Sequence, residues 1–306
     1  MELCIAEPHG MCSGVARALR MAEQILAEHP GETLWCFHEI VHNEHVVNGL
    51  KARGVRFVKS LQEIPTDARV LFSAHGVSPQ VRAEALARRL EVVDATCPFV
   101  TKVHREAKAF SAQGAVIALI GHKGHDEVEG IVGEAPAHIH VIERSEDVAQ
   151  LRKALECSHA SEVSINLVVL SQTTVSREMV QALSAELAQA GFSLTFPAQG
   201  NGICYATQER QEAVRGLAKA VDHLVVLGSR TSSNSLRLAE VAERAGCPVS
   251  LVASPNELDL SMLTGVRRLG ITSGASTPEA LLRQLVQRLE AVSAGEERIA
   301  GGENHA

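Results

Sequence analysis

Residues 70–98 read VLFSAHGVSPQVRAEALARRLEVVDATCP and contain one full copy of a pattern that recurs along the chain. The runs Val70–Ser73 and Glu91–Asp94 predict two buried strands, and Pro79–Arg89 between them predicts a helix. Each predicted strand ends in small or polar residues, AHG after the first and ATCP after the second. A strand, a helix and another strand in this order are typical of α/β proteins with mostly parallel sheets.

The same alternation continues along the rest of the chain. Further strands are predicted at Leu3–Ala6, Leu34–Phe37, Val116–Ile120, Leu167–Leu170, His223–Leu227 and Arg268–Thr272. Further helices are predicted at Val15–Glu28, Thr101–Gln113, Arg177–Ala190, Tyr205–Ala220, Leu236–Ala245 and Pro278–Val292. The polar strand ends come in pairs near residues 70–97, 116–174 and 223–276, which predicts three similar α/β modules.

These pairs also predict the domain organisation. We expect residues 14–97 to form the first module, residues 98–200 the second, residues 1–13 with 201–292 the third, and residues 293–306 a polar tail. Ligands bind at the carboxyl ends of strands in open α/β sheets. Three such edges facing one centre would therefore form a single shared pocket.

Composition excludes several classes of protein. The 306 residues are 45% hydrophobic but only 3% aromatic, and the formal net charge is -7 without a long basic run, so nucleic-acid binding is not expected. No run of about 18 apolar residues predicts a membrane span, and residues 1–7 do not resemble a signal peptide. We therefore expect a cytoplasmic protein whose seven cysteines are reduced thiols.

Three of the cysteines are candidate ligands of a metal centre. Cys12, Cys97 and Cys204 each lie in a turn that enters a predicted helix. A helix N-terminus stabilises the thiolate, the form that binds metals. Iron–sulfur clusters usually take four cysteines, so a set of three would leave one iron able to bind a substrate oxygen. The remaining cysteines are expected to be inert thiols in apolar or helical segments: Cys4, Cys36, Cys157 and Cys247.

Histidine and hydroxyl side chains gather at the predicted strand ends. Such donors suit the many acceptor oxygens of a diphosphate, and the chain contains neither a nucleotide P-loop nor a dinucleotide-binding fingerprint. The candidates are His42, His75, His125, Ser232, Ser233, Asn234 and Ser276. Glu127 and Thr173 follow neighbouring strands, and a carboxyl there could deliver a proton to a leaving hydroxyl.

A zinc hydrolase is an alternative interpretation, because residues 38–42 read HEIVH and match the H-E-x-x-H motif. That motif needs a helix so that both histidines share a face. Here it follows the predicted strand Leu34–Phe37 and precedes Asn43-Glu44, which is typical of a helix cap. The context therefore disfavours zinc binding.

Nine short motifs occur in the order found in one known family, across residues 4–285. They read HGMCSGV (9–15), HEIVHN (38–43), FSAHGVS (72–78), DATCPFVTKVH (94–104), IGHKGHDEVEG (120–130), SQTT (171–174), ICYAT (203–207), GSRTSSNS (228–235) and TSGAS (272–276). On these motifs the chain resembles the 4-hydroxy-3-methylbut-2-enyl diphosphate reductase (LytB/IspH) family, which acts last in the non-mevalonate isoprenoid pathway.

The resemblance implies a pseudo-symmetric trefoil of three α/β modules around one [4Fe–4S] cluster per chain and a substrate pocket. It implies that Cys12, Cys97 and Cys204 hold the cluster. The residues implied to bind the substrate are His42, His75, His125, Thr173, Ser232, Ser233, Asn234 and Ser276. Glu127, Thr173 and His125 are implied to act in catalysis near the substrate hydroxyl.

Family members reductively dehydroxylate their substrate to isopentenyl and dimethylallyl diphosphates, with electrons usually supplied by ferredoxin or flavodoxin. This chain reads PHGMC at residues 8–12 where the family commonly reads PRGFC. A changed neighbourhood of the cluster could alter its potential. A non-catalytic iron–sulfur or redox-sensing protein on the same scaffold is the second hypothesis, although a sensor needs neither Glu127 nor a diphosphate site.

Overall fold

The computed structural model describes residues 1–158, 165–198, 200 and 202–295. Within them, the strands are β1 (Glu2–Ile5), β2 (Trp35–Phe37), β3 (Arg56–Val58), β4 (Arg69–Phe72), β5 (Glu91–Asp94), β6 (Val116–Ile120), β7 (Ile139–Ile142), β8 (Asn166–Ser171), β9 (Ser193–Thr195), β10 (His223–Leu227), β11 (Val249–Val252) and β12 (Arg268–Ser273). The α-helices are α1 (Ser13–Glu28), α2 (Glu44–Ala52), α3 (Pro79–Ala87), α4 (Pro98–Ala112), α5 (Asp126–Val132), α6 (Ser145–Ser158), α7 (Arg177–Gln189), α8 (Tyr205–Ala218), α9 (Ser233–Arg244) and α10 (Glu279–Ala294).

The strands form three four-stranded sheets in which every pairing among the described residues is parallel. Sheet I has the order β3-β2-β4-β5, sheet II the order β7-β6-β8-β9, and sheet III the order β1-β12-β10-β11. The predicted α/β class is thus confirmed. The strands of each sheet fall inside one predicted module, while the module boundaries and their arrangement around a common centre stay predictions.

The chain divides into two compact units. The first unit contains residues 1–13, 42–48 and those from 205 onward, and therefore sheet III. The second unit contains residues 14–41 and 49–204, and therefore sheets I and II.

Sheet II, in the second unit, is buried on both faces. Ala118 and Ile120 of β6 pack into one apolar core, and Ile117 and Leu119 pack into another on the opposite face. Side chains alternate between the two faces of a strand, so a strand covered on both sides must be apolar throughout. Burying one such side chain fully contributes about 1.5–3 kcal/mol.

Sheet III, in the first unit, has the same construction. Val225 and Leu227 of β10 join the core that contains Leu285 of α10, whereas Leu224 and Val226 join the core that contains Leu238 of α9. Helices therefore pack on both faces of the sheet, and polar groups lie at the ends of its strands.

Several predicted boundaries differ from the structure. Helix α4 begins at Pro98 instead of Thr101, and α9 begins at Ser233 instead of Leu236. Helix α10 reaches Ala294, two residues into the predicted tail, and residues 296–306 of that tail lie outside the described residues. The side chain of Cys157, predicted to be an inert thiol, also lies outside the described part.

Candidate functional site

The three candidate ligand cysteines stand at helix entries, as predicted. Cys97 is the N-cap of α4, and the other two immediately precede α1 and α8. All three thiols are half-buried. Each backbone N–H donates to the carbonyl of a loop at a strand end, which fixes the turn: Cys12 to Ala275 at 3.1 Å, Cys97 to Ala74 at 3.0 Å and Cys204 to Thr173 at 3.1 Å.

The other described cysteines differ in environment. Cys36 of β2 and Cys247 after α9 are buried. Burial raises the pKa of both thiols, with a smaller contribution from Glu39 at Cys36 and from Asp222 at Cys247. A thiol that keeps its proton does not bind metal. Cys36 and Cys247 are thus buried as predicted, whereas Cys4 is half-buried, and the inertness of these thiols stays a prediction.

Glu127 is a buried carboxyl in the first turn of α5, with 2% of its surface exposed. Its Oε1 accepts the Thr173 backbone N–H at 2.6 Å, and its Oε2 accepts the Thr173 hydroxyl at 3.0 Å. Burial raises the pKa of Glu127 to about 7, and the two hydrogen bonds from Thr173 oppose that rise. The carboxyl can therefore carry a proton near neutral pH and release it there.

Two histidines lie together near the start of α5 in the second unit. His125 is the N-cap of α5, and its Nδ1 accepts the Glu127 backbone N–H at 3.1 Å. An accepting Nδ1 leaves the proton of the neutral ring on Nε2, which becomes a donor. The ring of His75 lies edge-on to that of His125, with 5.5 Å between centroids. The pair can offer N–H donors to an anion.

The H-E-x-x-H segment is not helical, so the zinc-hydrolase interpretation is wrong. It follows the end of β2 at Phe37 and ends before α2 begins at Glu44. His38 has a left-handed backbone with φ of 61°, and its Nδ1 makes a short hydrogen bond with Asp126. Sequence reasoning missed this partner because the two residues are far apart along the chain.

In the first unit, hydroxyl and amide groups meet at the ends of β10 and β12. The hydroxyl of Ser276 donates to the backbone carbonyl of His42 at 3.1 Å. Asn234 Oδ1 accepts the Ala275 backbone N–H at 2.8 Å, which turns its amide nitrogen away. That buried Nδ2 has no hydrogen-bond partner among the described residues. An unpaired buried donor is costly unless a ligand accepts from it.

The N-terminus of α9 contributes backbone donors at the same place. Ser232 caps the helix and accepts the Ser235 backbone N–H, and Ser233 lies in the first turn. The residues 232–234 are at most 6% exposed. A Cβ on Gly228 or Gly274 would lie 2.2 Å from the Ser235 hydroxyl oxygen, so only glycine lets the helix approach both strand ends. A helix N-terminus of this kind suits a phosphate group.

Arg210 is a second residue that sequence reasoning missed. It lies on α8 and is 5% exposed. Its guanidinium donates to the carbonyls of Ala206 at 2.9 Å and Gly10 at 2.8 Å, and more weakly to that of His9 at 3.4 Å. The side chain thus ties the loop that carries Cys12 to α8.

The predicted residues fall into two sets, one in each compact unit. The first unit holds Cys12, His42, Ser232, Ser233, Asn234 and Ser276. The second unit holds Cys97, Cys204, His75, His125, Glu127 and Thr173. Among the described residues, no helix combines the length and the apolar character needed to cross a membrane.

Parallel sheets with half-buried thiols and a proton-carrying carboxyl at their strand ends define an α/β enzyme suited to oxidation–reduction chemistry. The chain belongs to the LytB protein family, whose model matches residues 3–290. A relative from Aromatoleum aromaticum, 4-hydroxy-3-methylbut-2-enyl diphosphate reductase, is 44% identical over 301 residues, which are 98% of this chain and 93% of that protein. The Nocardia farcinica protein of the same name is 47% identical over 290 residues, 94% of this chain and 83% of that protein.

Solved structures agree with this family. The structure of E-1-hydroxy-2-methyl-but-2-enyl-4-diphosphate reductase from Plasmodium falciparum has a TM-score of 0.86 and 32% sequence identity, and the match covers 94% of this chain and 87% of that one. A second structure, of (E)-4-hydroxy-3-methyl-but-2-enyl diphosphate reductase, the terminal enzyme of the non-mevalonate pathway, has a TM-score of 0.64 at 32% identity. That match covers 95% of this chain and 99% of the other.

Proposed function

We propose that this chain reductively dehydroxylates 4-hydroxy-3-methylbut-2-enyl diphosphate to isopentenyl and dimethylallyl diphosphates, as the final step of the non-mevalonate isoprenoid pathway. The names of its relatives support this reaction. The observation that carries the proposal is Glu127, a buried carboxyl with a pKa of about 7 held by Thr173. A group of this kind is needed to protonate a hydroxyl as it leaves.

One [4Fe–4S] cluster per chain is the proposed cofactor, with Cys12, Cys97 and Cys204 as its ligands. The donor set fits, because these are half-buried thiols at helix entries, unlike the buried thiols of Cys36 and Cys247. A bound cluster would pass on the two electrons received from an external donor and would supply a Lewis-acidic iron.

The diphosphate is proposed to bind to the donors at the strand ends. In the first unit these are the hydroxyls of Ser232, Ser233 and Ser276 and the unpaired amide of Asn234, beside His42. In the second unit they are the imidazoles of His75 and His125. Binding the diphosphate would hold the allylic hydroxyl in place for reaction.

Proton delivery is proposed to run through Glu127. The Thr173 hydroxyl and backbone N–H orient its carboxyl, and His125 holds the start of the same helix. Two electrons and two protons are consumed. One proton leaves with the hydroxyl as water, and the other adds to either end of the allylic fragment, which accounts for two products.

The electrons are proposed to come from a small redox protein such as ferredoxin or flavodoxin, in the cytoplasm. Neither a nucleic acid nor a membrane takes part in this proposal. The net charge of -7 gives no general attraction for polyanions.

The test is anaerobic purification, followed by iron, sulfide and zinc analysis and an assay with the hydroxylated allylic diphosphate and a chemical reductant. We expect a brown protein with a broad absorption band near roughly 400 nm, about four irons per chain, and both products. Iron without turnover would indicate a redox sensor. Failure to bind iron under strictly anaerobic conditions would refute the proposed cofactor.

A further inference from the structure

Asp126 lies between two histidines, and neither Asp126 nor His38 has a part in the proposed reaction. Its Oδ1 makes the short hydrogen bond with His38 Nδ1, and its Oδ2 faces His75 Nδ1 at 3.9 Å. The longer contact is an electrostatic one, since it exceeds hydrogen-bond distance. The same His75 Nδ1 lies 3.3 Å from the Ser73 hydroxyl.

The backbone at His38, which makes the short contact, has an unusual conformation. Its φ of 61° lies in the left-handed region, which costs a non-glycine residue about 1 kcal/mol or more. The bend is held by a hydrogen bond from the His38 N–H to the Val58 carbonyl at 2.8 Å. Strain of this size persists where the surrounding structure enforces it, and such places cluster at functional sites.

The arrangement is not part of the apolar core. His38 and Asp126 line an open cavity of about 340 Å³ together with Ser73, Gly76 and Gly130. The side chains of His38 and Asp126 are 32% and 19% exposed. Replacing Asp126 by its isosteric amide therefore removes a charge without opening a void.

We propose that Asp126 is a positioning residue for His75, with His38 as the hydrogen-bond partner that fixes its carboxylate. This inference rests on the proposed function, in which His75 binds the diphosphate. The carboxylate and the Ser73 hydroxyl hold His75 by Nδ1. In the protonated ring both nitrogens donate, so Nδ1–H faces the carboxylate and Nε2–H is presented to the diphosphate on the other side of the ring. A carboxylate alone would repel a diphosphate, and its bond to His38 reduces that repulsion.

The first experiment measures binding of inorganic diphosphate to the cluster-loaded protein by calorimetry, together with KM and kcat. Asp126→Asn is expected to weaken diphosphate binding and raise KM about tenfold, because it removes the charge whose electrostatic attraction orients His75. The value of kcat and the iron content are expected to stay near those of the wild type. Glu129→Gln is the matched control, since Glu129 is an exposed carboxyl on the same helix.

The second experiment tests whether Asp126 acts through His75. In a His75→Asn background, Asp126→Asn is expected to change diphosphate affinity by less than about twofold, because coupled residues do not add. His38→Asn, which leaves the carboxylate without its partner, is expected to weaken diphosphate binding as well. The double variant of His38 and Asp126 should bind no more weakly than Asp126→Asn alone.

The outcomes separate this inference from the proposed function. A wild-type protein that neither binds inorganic diphosphate nor converts the allylic substrate would overturn both. If the wild type binds diphosphate and converts the substrate, and Asp126→Asn has the same KM and the same diphosphate affinity, only the role of Asp126 is overturned. Full additivity with His75→Asn would also refute it.

Discussion

Glu127 owes its protonation state to burial and not to a charged partner, because its hydrogen-bond partners are the backbone N–H and hydroxyl of Thr173. As the proposed acid, it must be protonated before the hydroxyl leaves. We therefore expect kcat/KM to fall as pH rises above about 7. In Glu127→Gln, turnover should drop at least about 100-fold with the iron content unchanged.

The measurement is the rate of oxidation of a reduced viologen dye across pH 5.5–8.5. Glu129→Gln serves as the control at an exposed carboxyl of the same helix. Near-normal turnover in Glu127→Gln, or an unchanged alkaline limb in its residual activity, would remove Glu127 from the proton path.

The same carboxyl makes stability depend on pH. Its pKa rises from 4.5 in an isolated side chain to about 7 in the folded protein. Between these values the folded protein keeps a proton that the unfolded chain has lost, so this group makes stability fall as pH rises, until the effect levels off above pH 7. The loss is on the order of 3 kcal/mol.

Urea unfolding of the reduced, metal-free protein at pH 5, 6, 7 and 8 checks this. The free energy of unfolding of Glu127→Gln, compared with the wild type at each pH, isolates the group because Gln does not titrate. We expect the free energy of unfolding of Glu127→Gln to increase relative to that of the wild type as pH rises. A pH-independent difference would show that the carboxyl titrates normally in the fold.

The sequence predicted best the strands that are buried on both faces of their sheet. Strand β10 reads HLVVL and is buried at every position, and its predicted bounds match the structure. The missed strands β3, β7, β9 and β11 are outer strands of three or four residues. An outer strand has one neighbouring strand and is partly exposed. Its run of apolar residues is therefore short and interrupted by polar residues.

The candidate site was predictable where local sequence determines it. Helix entry at Cys97 follows from the strand end before it and the proline after it, which suits the first turn of a helix. The contacts of Asp126 with His38 and of Arg210 with Gly10 join residues far apart in sequence. Such pairings arise from tertiary packing, which periodicity and spacing do not report.

The loop after β4 offers a test at the level of elements. Gly76 has φ of 79°, and a Cβ there would lie 3.0 Å from His104 Nε2 on α4. His104 cannot easily yield, because it is buried and its Nδ1 lies 2.8 Å from Glu134. Gly76→Ala should therefore combine backbone strain of about 1 kcal/mol with a steric cost of about 1–3 kcal/mol.

Gly114→Ala separates the two costs. Gly114 has φ of 76° and no atom within 4 Å of the added Cβ, so it carries the strain alone. Urea unfolding should find Gly76→Ala less stable than Gly114→Ala, and KM should rise only for Gly76→Ala because His75 is its neighbour. Equal stabilities would show that the loop moves away from α4 without cost.

At the scale of the whole molecule, the three thiols follow strands of three different sheets. Cys12 comes after β1 of sheet III, Cys97 after β5 of sheet I, and Cys204 after β9 of sheet II. A cluster bound by all three would link distant parts of the chain. Such a link binds the folded state in preference to the unfolded one, and closing long loops makes it more effective.

Cluster removal should therefore lower the melting temperature of the whole protein. We expect a loss of at least about 5 °C on stripping with chelator and oxidant, recovered on anaerobic reconstitution. Cys97→Ala should melt near the stripped wild type and gain little from reconstitution. Cys247→Ala, at a buried thiol with a raised pKa, should keep the full difference between loaded and stripped protein. The melting temperatures are measured by calorimetry. Equal melting temperatures for loaded and stripped wild type would mean that the metal centre does not join the three sheets.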